Sequence, residues 1–491
     1  MDLELNELKS AIQGRKLVIY GAGNWASAFW AFIEYLDYGG NVVCFTVTEL
    51  EGCDVNLFNK DVKMFKDIKN SISDCVIIIA VKRADEIISI LSENQIKDYY
   101  RLREAQVDKI QAYIFDTYSR LPIQRNKIFV DCFEGKNGYC CNCKYIVEKL
   151  YSMKYPVEVV WNIIDESMWE FPHGIKTVRY KSLEYFKELY TSGIVINNAD
   201  VISYPYKRKE QYFINTWHGS GPFKKVRAAL CNNDKEKISK IKSEYSLVDV
   251  FYSNTKDNTE MFRNSFCFDG EICEGGSPRN DILFTRNDIK EQIFNKFDID
   301  NDKKILLYAP TYRKGGKDRL MSFNWYDLDM QQVLCALNNR FGGEFILMYR
   351  FHHMLYEYKK NCDYYYFGID VTYYPDIMEL LVAADVLITD YSSVMWDFSL
   401  QRRPVFLYHN DESEYLNEHG FYWPISKWPY PKAHTCEELC GKIKKFNEKE
   451  YLEDLEAFFA ADTSYDDGNA SGRVAERIID VINNPQKYGK E

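Results

Sequence analysis

Residues Asp376–Asp411, DIMELLVAADVLITDYSSVMWDFSLQRRPVFLYHND, decide the fold class of this chain. Ile377, Leu380, Leu381 and Ala384 recur at helical spacing, so 376–384 reads as a short helix. Val386–Thr389 is an apolar, largely β-branched run of strand length, suited to burial on both faces. Asp390–Ser393 forms a turn, with Ser392 or Ser393 placed to cap a helix that begins near Val394. Pro404 then opens a second strand, Val405–Tyr408. The loop of this β–α–β unit puts hydroxyls and backbone N–H groups at a helix N-terminus, beyond the carboxyl end of a parallel strand. Such a place favours a phosphate, because orphan donors and the positive helix end converge on it. An ordinary capped helix has the same spacing.

The alternation continues in both directions. Upstream, Lys304–Ala309 and Glu344–Arg350 read as strands of the same unit. Earlier still, Ile128–Asp131, Val157–Ile164, Lys176–Tyr180, Ile194–Asn197, Tyr212–Trp217 and Val248–Ser253 read as strands, with a helix at Tyr145–Met153. Strands alternating with helices predict parallel sheets covered on both faces. The charged stretch Phe284–Lys303 reads as a hinge between the two units.

A third unit comes first in the chain. Leu17–Tyr20, the turn GAGNWA at Gly21–Ala26, a helix reaching Leu36, Asn41–Thr48 and Cys75–Val81 give G-x-G-x-x-A between strand and helix, a Rossmann-type fingerprint. Gly21 and Gly23 are therefore candidate cofactor-binding residues. Glu49 comes late for a ribose-binding acid, and Trp25 stands where a pyrophosphate would approach, so a nucleotide-free regulatory module is the competing reading. The predicted division is 1–122, 123–295 and 296–491, with a closing helix at Ser471–Asn483. A prior of about 150 residues per domain also gives three.

Composition narrows the function. A net charge of −11 argues against general nucleic-acid binding. With 46% hydrophobic and 27% charged residues the chain reads as globular rather than disordered. No apolar run approaches the roughly 20 residues that span a bilayer. The start, MDLELNELKS, lacks the basic-then-apolar order of a signal peptide. With 14 Cys, that predicts reduced thiols in a cytoplasm. Cys140, Cys141 and Cys143, with Cys132 as a fourth candidate, lack the paired knuckles of a zinc site, and no metal site is expected. Basic residues gather at Lys207–Lys209 and at Lys224, Lys225 and Arg227. This local reversal of sign suits a polyanionic acceptor or an anionic membrane surface; solvated surface charge is the plainer reading.

Six segments carry a family resemblance. They are NTWHGSGPFKKV (Asn215–Val226), GGSPRND (Gly275–Asp281), LLYAPTYRKGG (Leu306–Gly316), LMYRFHHML (Leu347–Leu355), TDYSS (Thr389–Ser393) and RRPVFLYHNDESEY (Arg402–Tyr415). In this order they resemble the CDP-glycerol glycerophosphotransferase family, whose enzymes build teichoic acid and related polyol-phosphate polymers. The resemblance covers roughly Asn126–Ile482. It implies a GT-B fold, two doubly wound domains facing across a cleft, here preceded by the small Rossmann-like unit. It also implies a CDP-glycerol or CDP-ribitol donor, no required cofactor, and a polyol-phosphate or glycan acceptor, free or lipid-linked. The expected location is the cytoplasm or the cytoplasmic face of the membrane.

Phosphoryl transfer asks for a base, for donors or cations at the developing phosphate charge, and for a nucleotide pocket. The chain has 7 His. His218 follows a predicted strand and precedes Gly219, Ser220 and Gly221, an open glycine-rich loop; the resemblance makes it the leading general base. His352 matches the family's second active-site His, beside His353. Arg279 and Arg313 each follow a loop and could hold phosphate oxygens bidentately. Thr311, Ser392 and Ser393 would donate to the diphosphate, with Gly219 and Ser220 lining the acceptor side. Asp390 would repel phosphate, so it reads as a residue that orients the turn. Two rivals stand beside this reading: a sugar-nucleotide GT-B glycosyltransferase, and an NAD(P)-binding oxidoreductase or regulatory module fused to an interaction scaffold.

Overall fold

Strands apolar on both faces set the architecture. Every residue of Cys75–Ile79, Ser192–Asn197, Tyr212–Asn215, Val250–Ser253, Val386–Thr389 and Val405–Tyr408 is buried. Strands sheathed in this way belong to parallel sheets with helices on both sides. The computed structural model describes residues 3–50, 56–201, 205–219, 221, 224–285, 288–311, 313, 328–351, 367–418 and 420–490. Among them there are three sheets.

The first sheet runs Asn56–Leu57, Lys60–Met64, Val42–Val47, Lys16–Tyr20, Cys75–Ile79, Tyr99–Arg101; only the first pairing is antiparallel. The second is parallel throughout and runs Glu271–Glu274, Val250–Ser253, Tyr212–Asn215, Ser192–Asn197, Gln124–Asp131, Glu158–Ile163, Ile175–Arg179. The third is also parallel and runs Ile369–Asp370, Glu344–Tyr349, Lys303–Tyr308, Val386–Thr389, Val405–Tyr408, Lys432–Ala433. Among the described residues no helix is long and apolar enough to cross a membrane.

The order of strands locates the crevices. In the second sheet the chain starts at Gln124–Asp131, winds outward one way, then returns to the other side at Ser192–Asn197. In the third it starts at Lys303–Tyr308 and reverses at Val386–Thr389. Loops leaving neighbouring strands at such a reversal part company, which leaves a crevice beyond their carboxyl ends.

Two features depart from the sequence reading. The stretch Phe284–Lys303 is not a simple hinge: Asp288–Lys296 is a helix that buries Ile289, Ile293 and Phe294 in the core of the third sheet. The helix expected to begin at Tyr145 begins at Cys141, because Cys141, Asn142 and Cys143 are buried with it.

The second and third lobes are tied at several points. Asp376 caps Ile377–Ala383 by accepting from Met378 N, and the same carboxylate accepts from Lys144 Nζ at 3.0 Å and Tyr145 Oη at 2.7 Å, both on the helix Cys141–Ser152 of the other lobe. The closing helix, Ala470–Asn483, packs Val474, Ala475, Ile478 and Val481 against the second sheet. Its own N-cap, Asn469, makes no side-chain cap bond; Asp281 of the second lobe accepts from Ala470 N and Ser471 N instead, at 2.9 and 2.7 Å. This foreign cap satisfies the orphan donors of the first turn and fixes where the chain crosses back.

Candidate active site

His218 stands above the reversal point of the second sheet. Tyr212–Asn215 ends in a backbone held on three sides: Thr216 N donates to Asn197 O at 3.0 Å, Trp217 N to Asn215 Oδ1 at 2.7 Å, and Asn142 Nδ2 to Trp217 O at 3.0 Å. Trp217 adopts φ +51°, a left-handed conformation unusual for a bulky residue and sustained by this network. The half-buried imidazole that follows packs against Phe133, with ring centroids 5.0 Å apart. Its Nδ1 lies 2.6 Å from Asn198 O. A carbonyl can only accept, so Nδ1 carries the proton and Nε2 keeps the lone pair. Nε2 has no hydrogen-bond partner among the described residues. Burial lowers the pKa to about 4, with the Arg279 guanidinium adding to the effect and the Asn198 bond opposing it. The imidazole is neutral at physiological pH and able to take a proton.

Asn142, which the sequence reading missed, organises this side. Its Oδ1 accepts from Ser277 Oγ and Arg279 N, both at 2.9 Å, while its amide holds the Trp217 carbonyl. Asn258 Nδ2 holds the Gly219 carbonyl at 3.1 Å. Nothing in sequence spacing marks buried Asn residues as loop holders.

On the facing side, Thr311 leaves the strand Lys303–Tyr308 and Asp390 leaves Val386–Thr389, at the second reversal point. Asp390 accepts from Thr311 N, Thr311 Oγ1, Tyr391 N and Arg313 Nη2. These bonds tie the Thr311 loop, Arg313 and the start of the serine turn to one carboxylate. The arginines differ from expectation. Arg313 is 1% exposed and gives Nε and Nη2 to Asp411, Nη2 to Asp390, and Nη1 to Thr311 O and Oγ1. Those contacts occupy all five N–H groups. Arg279 is also buried, with Nη2 2.6 Å from Asp397 Oδ2 and Nη1 2.5 Å from His218 O. Both guanidinium groups hold protein acceptors, so they shape the loops rather than present a fork to phosphate. Thr311 Oγ1 is similarly committed.

Among the described residues on this side, the serine turn keeps donors for a ligand. Val394–Ser399 is a short helix with Ser393 at its N-cap, but Ser393 makes no side-chain cap bond; Val394 N instead reaches Ser392 Oγ at 3.4 Å. The backbone N–H groups of Ser392 and Ser393 find no acceptor among the described residues. The two sides come close: a β-carbon built on Gly219 would stand 3.6 Å from Ser393 Oγ. The turn after His218 thus faces the tip of the serine helix.

Ser220 and His352 lie outside the described residues. Gly23 lines a cavity of about 180 Å³ that also takes Glu134, Arg179 and Lys181 from the second lobe, and Gly21 precedes it in the turn. Gly21 has φ +126°, and a β-carbon there would lie 2.8 Å from Ala80 O, so glycine is required. Lys181 Nζ donates to Asn24 Oδ1 at 2.6 Å across the front of this turn. The basic clusters divide: Lys209 and Lys225 are exposed, and three other cations have partners within the protein. Lys207 pairs with Asp249, Arg208 donates to the carbonyls of Leu121 and Tyr190, and Arg227 Nε holds Asp200 at 2.8 Å. These cations are spent inside the lobe.

Residues 113–480 match the family described as CDP-Glycerol:Poly(glycerophosphate) glycerophosphotransferase. Over 385 residues the chain is 30% identical to a teichoic acid poly(glycerol phosphate) polymerase of Bacillus spizizenii, covering 76% of this chain and 96% of the relative. A polymerase of the same description from Staphylococcus epidermidis is 30% identical over 375 residues, 72% of this chain and 51% of its own length. The chain spans about half the length of that protein and of a Bacillus subtilis counterpart. Among solved structures, the wall teichoic acid polymerase TagF superposes with a TM-score of 0.67 at 26% identity, covering 82% of this chain and 100% of that one. A variant of that polymerase soaked with CDPG is similar at a TM-score of 0.66.

Proposed function

Because the chain belongs to the CDP-glycerol:poly(glycerophosphate) glycerophosphotransferase family, we propose that it transfers a polyol phosphate, glycerol phosphate first, from a CDP-activated donor to a hydroxyl of a growing surface polymer. The second and third lobes are read as the two halves of a GT-B enzyme, with boundaries near 123–295 and 296–491, and the first 122 residues as a Rossmann-like addition. The nucleotide lies on the third lobe and the acceptor on the lobe of His218.

The chemistry follows from the site. His218 Nε2 takes the proton of the acceptor hydroxyl as its oxygen attacks the phosphorus that bears the polyol. The new P–O bond forms, the bond to the oxygen shared with the cytidylyl phosphate breaks, and CMP leaves. The backbone N–H groups of Ser392 and Ser393 and the helix end stabilise charge on the diphosphate, where preorganised dipoles cost no reorganisation. Arg279 and Arg313 are positioning residues: one fixes the His218 loop, the other the Asp390 turn. The observation that supports the reading is the approach of Gly219, next to the neutral imidazole, to Ser393 at the tip of the serine helix.

The test is donor choice. The purified chain is incubated with a polyol-phosphate primer and CDP-glycerol, CDP-ribitol or a UDP-sugar. CMP release from a CDP-polyol, lost in His218→Ala with circular dichroism unchanged, is expected. Release of UDP alone would overturn the reading.

A further inference from the structure

His409, Glu412 and His434 come together at the outer end of the third sheet. His409 follows the strand Val405–Tyr408, Glu412 opens the helix Glu412–Glu418, and His434 follows the edge strand Lys432–Ala433. One ligand atom from each lies within 4.8 Å of the others. The phosphoryl-transfer chemistry uses none of the three.

His409 is the unusual member. It is 2% exposed, and neither ring nitrogen has a hydrogen-bond partner, although Nδ1 stands 3.0 Å from Glu412 Oε2. A buried imidazole without hydrogen bonds is costly, and buried polar atoms in this state call for an explanation. His434 is turned toward it: its Nδ1 lies 2.9 Å from His409 O, and the rings are 4.4 Å apart, centroid to centroid. The carbonyl can only accept, so His434 keeps its Nε2 lone pair. An imidazole that gives one N–H to a backbone carbonyl and offers the other nitrogen has the arrangement of a metal ligand with its outer support in place. Lys432, the nearby cation, is committed to the carbonyls of Trp428 and Tyr430.

We propose that His409, Glu412 and His434 bind one divalent metal ion of the zinc class. Two imidazoles and one carboxylate favour zinc, cobalt or nickel over the oxygen-seeking magnesium and calcium. Zinc–nitrogen bonds of about 2.0–2.1 Å require the three groups to draw closer, and exposed His434 is free to make that adjustment. Solvent reaches the His434 side and completes the coordination. The ion bridges the third sheet's two outer strands and the helix behind them. It also flanks Asp411, which grips Arg313, so binding stiffens the segment that supports the Asp390 turn.

The test uses the full chain, treated with a chelator and then titrated with Co²⁺ by visible absorption and with Zn²⁺ by calorimetry. One-to-one binding is expected, with cobalt d–d bands of a nitrogen and oxygen site. His434→Gln and Glu412→Gln, both at accessible positions, should weaken zinc at least tenfold and abolish the zinc-dependent rise in melting temperature. His409→Ala removes a buried group, so its effect is read only beside those two. Three outcomes overturn the proposal: no saturable binding, affinity unchanged in both accessible variants, or the intense near-ultraviolet bands of cobalt–thiolate bonds, which place the ion on cysteines.

Discussion

Arg279 and Asp397 meet at 2.6 Å, one from each lobe, and the same guanidinium holds the carbonyl of His218. The pair joins the proposed base to the short helix behind the serine turn. Both side chains are almost wholly buried, at 6% and 2% exposure. Such a pair is weak evidence for net stability, but removing one partner leaves a charge stranded. Arg279→Ala is expected to cost about 3–5 kcal/mol, seen as an earlier urea midpoint. Arg279→Met with Asp397→Leu should recover much of that stability without restoring CMP release, because the His218 carbonyl loses its holder. Recovery of full activity in the double variant would show that the loop needs no such tie.

The base itself gives the sharpest loss. His218→Ala should lower kcat/KM for CDP-glycerol by about 10²–10⁴-fold, with the melting temperature close to that of the parent. His218→Gln should not rescue it, since an amide offers no basic nitrogen. A loss below tenfold would remove His218 from proton transfer.

The acid limb of the pH profile follows from the imidazole's surroundings. With its pKa lowered to about 4, His218 stays neutral until the pH falls well below the ordinary histidine range. The profile of kcat/KM, which reports the free enzyme, should therefore be level from pH 7 to near 5 and fall as pH approaches 4. Half-loss near pH 6.5 would mean that the imidazole titrates as an ordinary histidine and that its surroundings do not hold it neutral.

Asp462 lies where the chain crosses from the third lobe to the second. It is 1% exposed, accepts from Asp257 N at 2.8 Å, and burial raises its pKa to about 7. The folded state thus holds a proton that the unfolded chain releases near pH 4, so stability falls as pH rises from about 4 to 7 and is level above. Asp462→Asn keeps the acceptor without the charge. It should stabilise by about 2–4 kcal/mol at pH 8 and by little at pH 4, measured by thermal melts at both values. An equal gain at both pH values would assign the effect to something other than this proton.

Much of this protein was legible in its sequence. Val386–Thr389 and Val405–Tyr408 form strands where their apolar runs place them, because a strand buried on both faces needs a continuous apolar segment. The strands Lys60–Met64 and Glu271–Glu274 carry no such run, so periodicity alone does not mark them. His218 and the serine turn are singled out by the family resemblance, since on local pattern alone a structural loop histidine and an ordinary capped helix fit as well. The partners of Arg279 and Arg313 were not local: Asp397 and Asp411 lie 118 and 98 residues away. Local spacing cannot tell a guanidinium that will meet a phosphate from one that will be buried against a carboxylate. His409 and His434 were equally hidden, since their closeness depends on two outer strands lying side by side. Residue type and period determined the layers, because burial acts on each segment alone. Which charges meet was decided only when the sheets closed on one another, because pairing depends on distances that the fold sets.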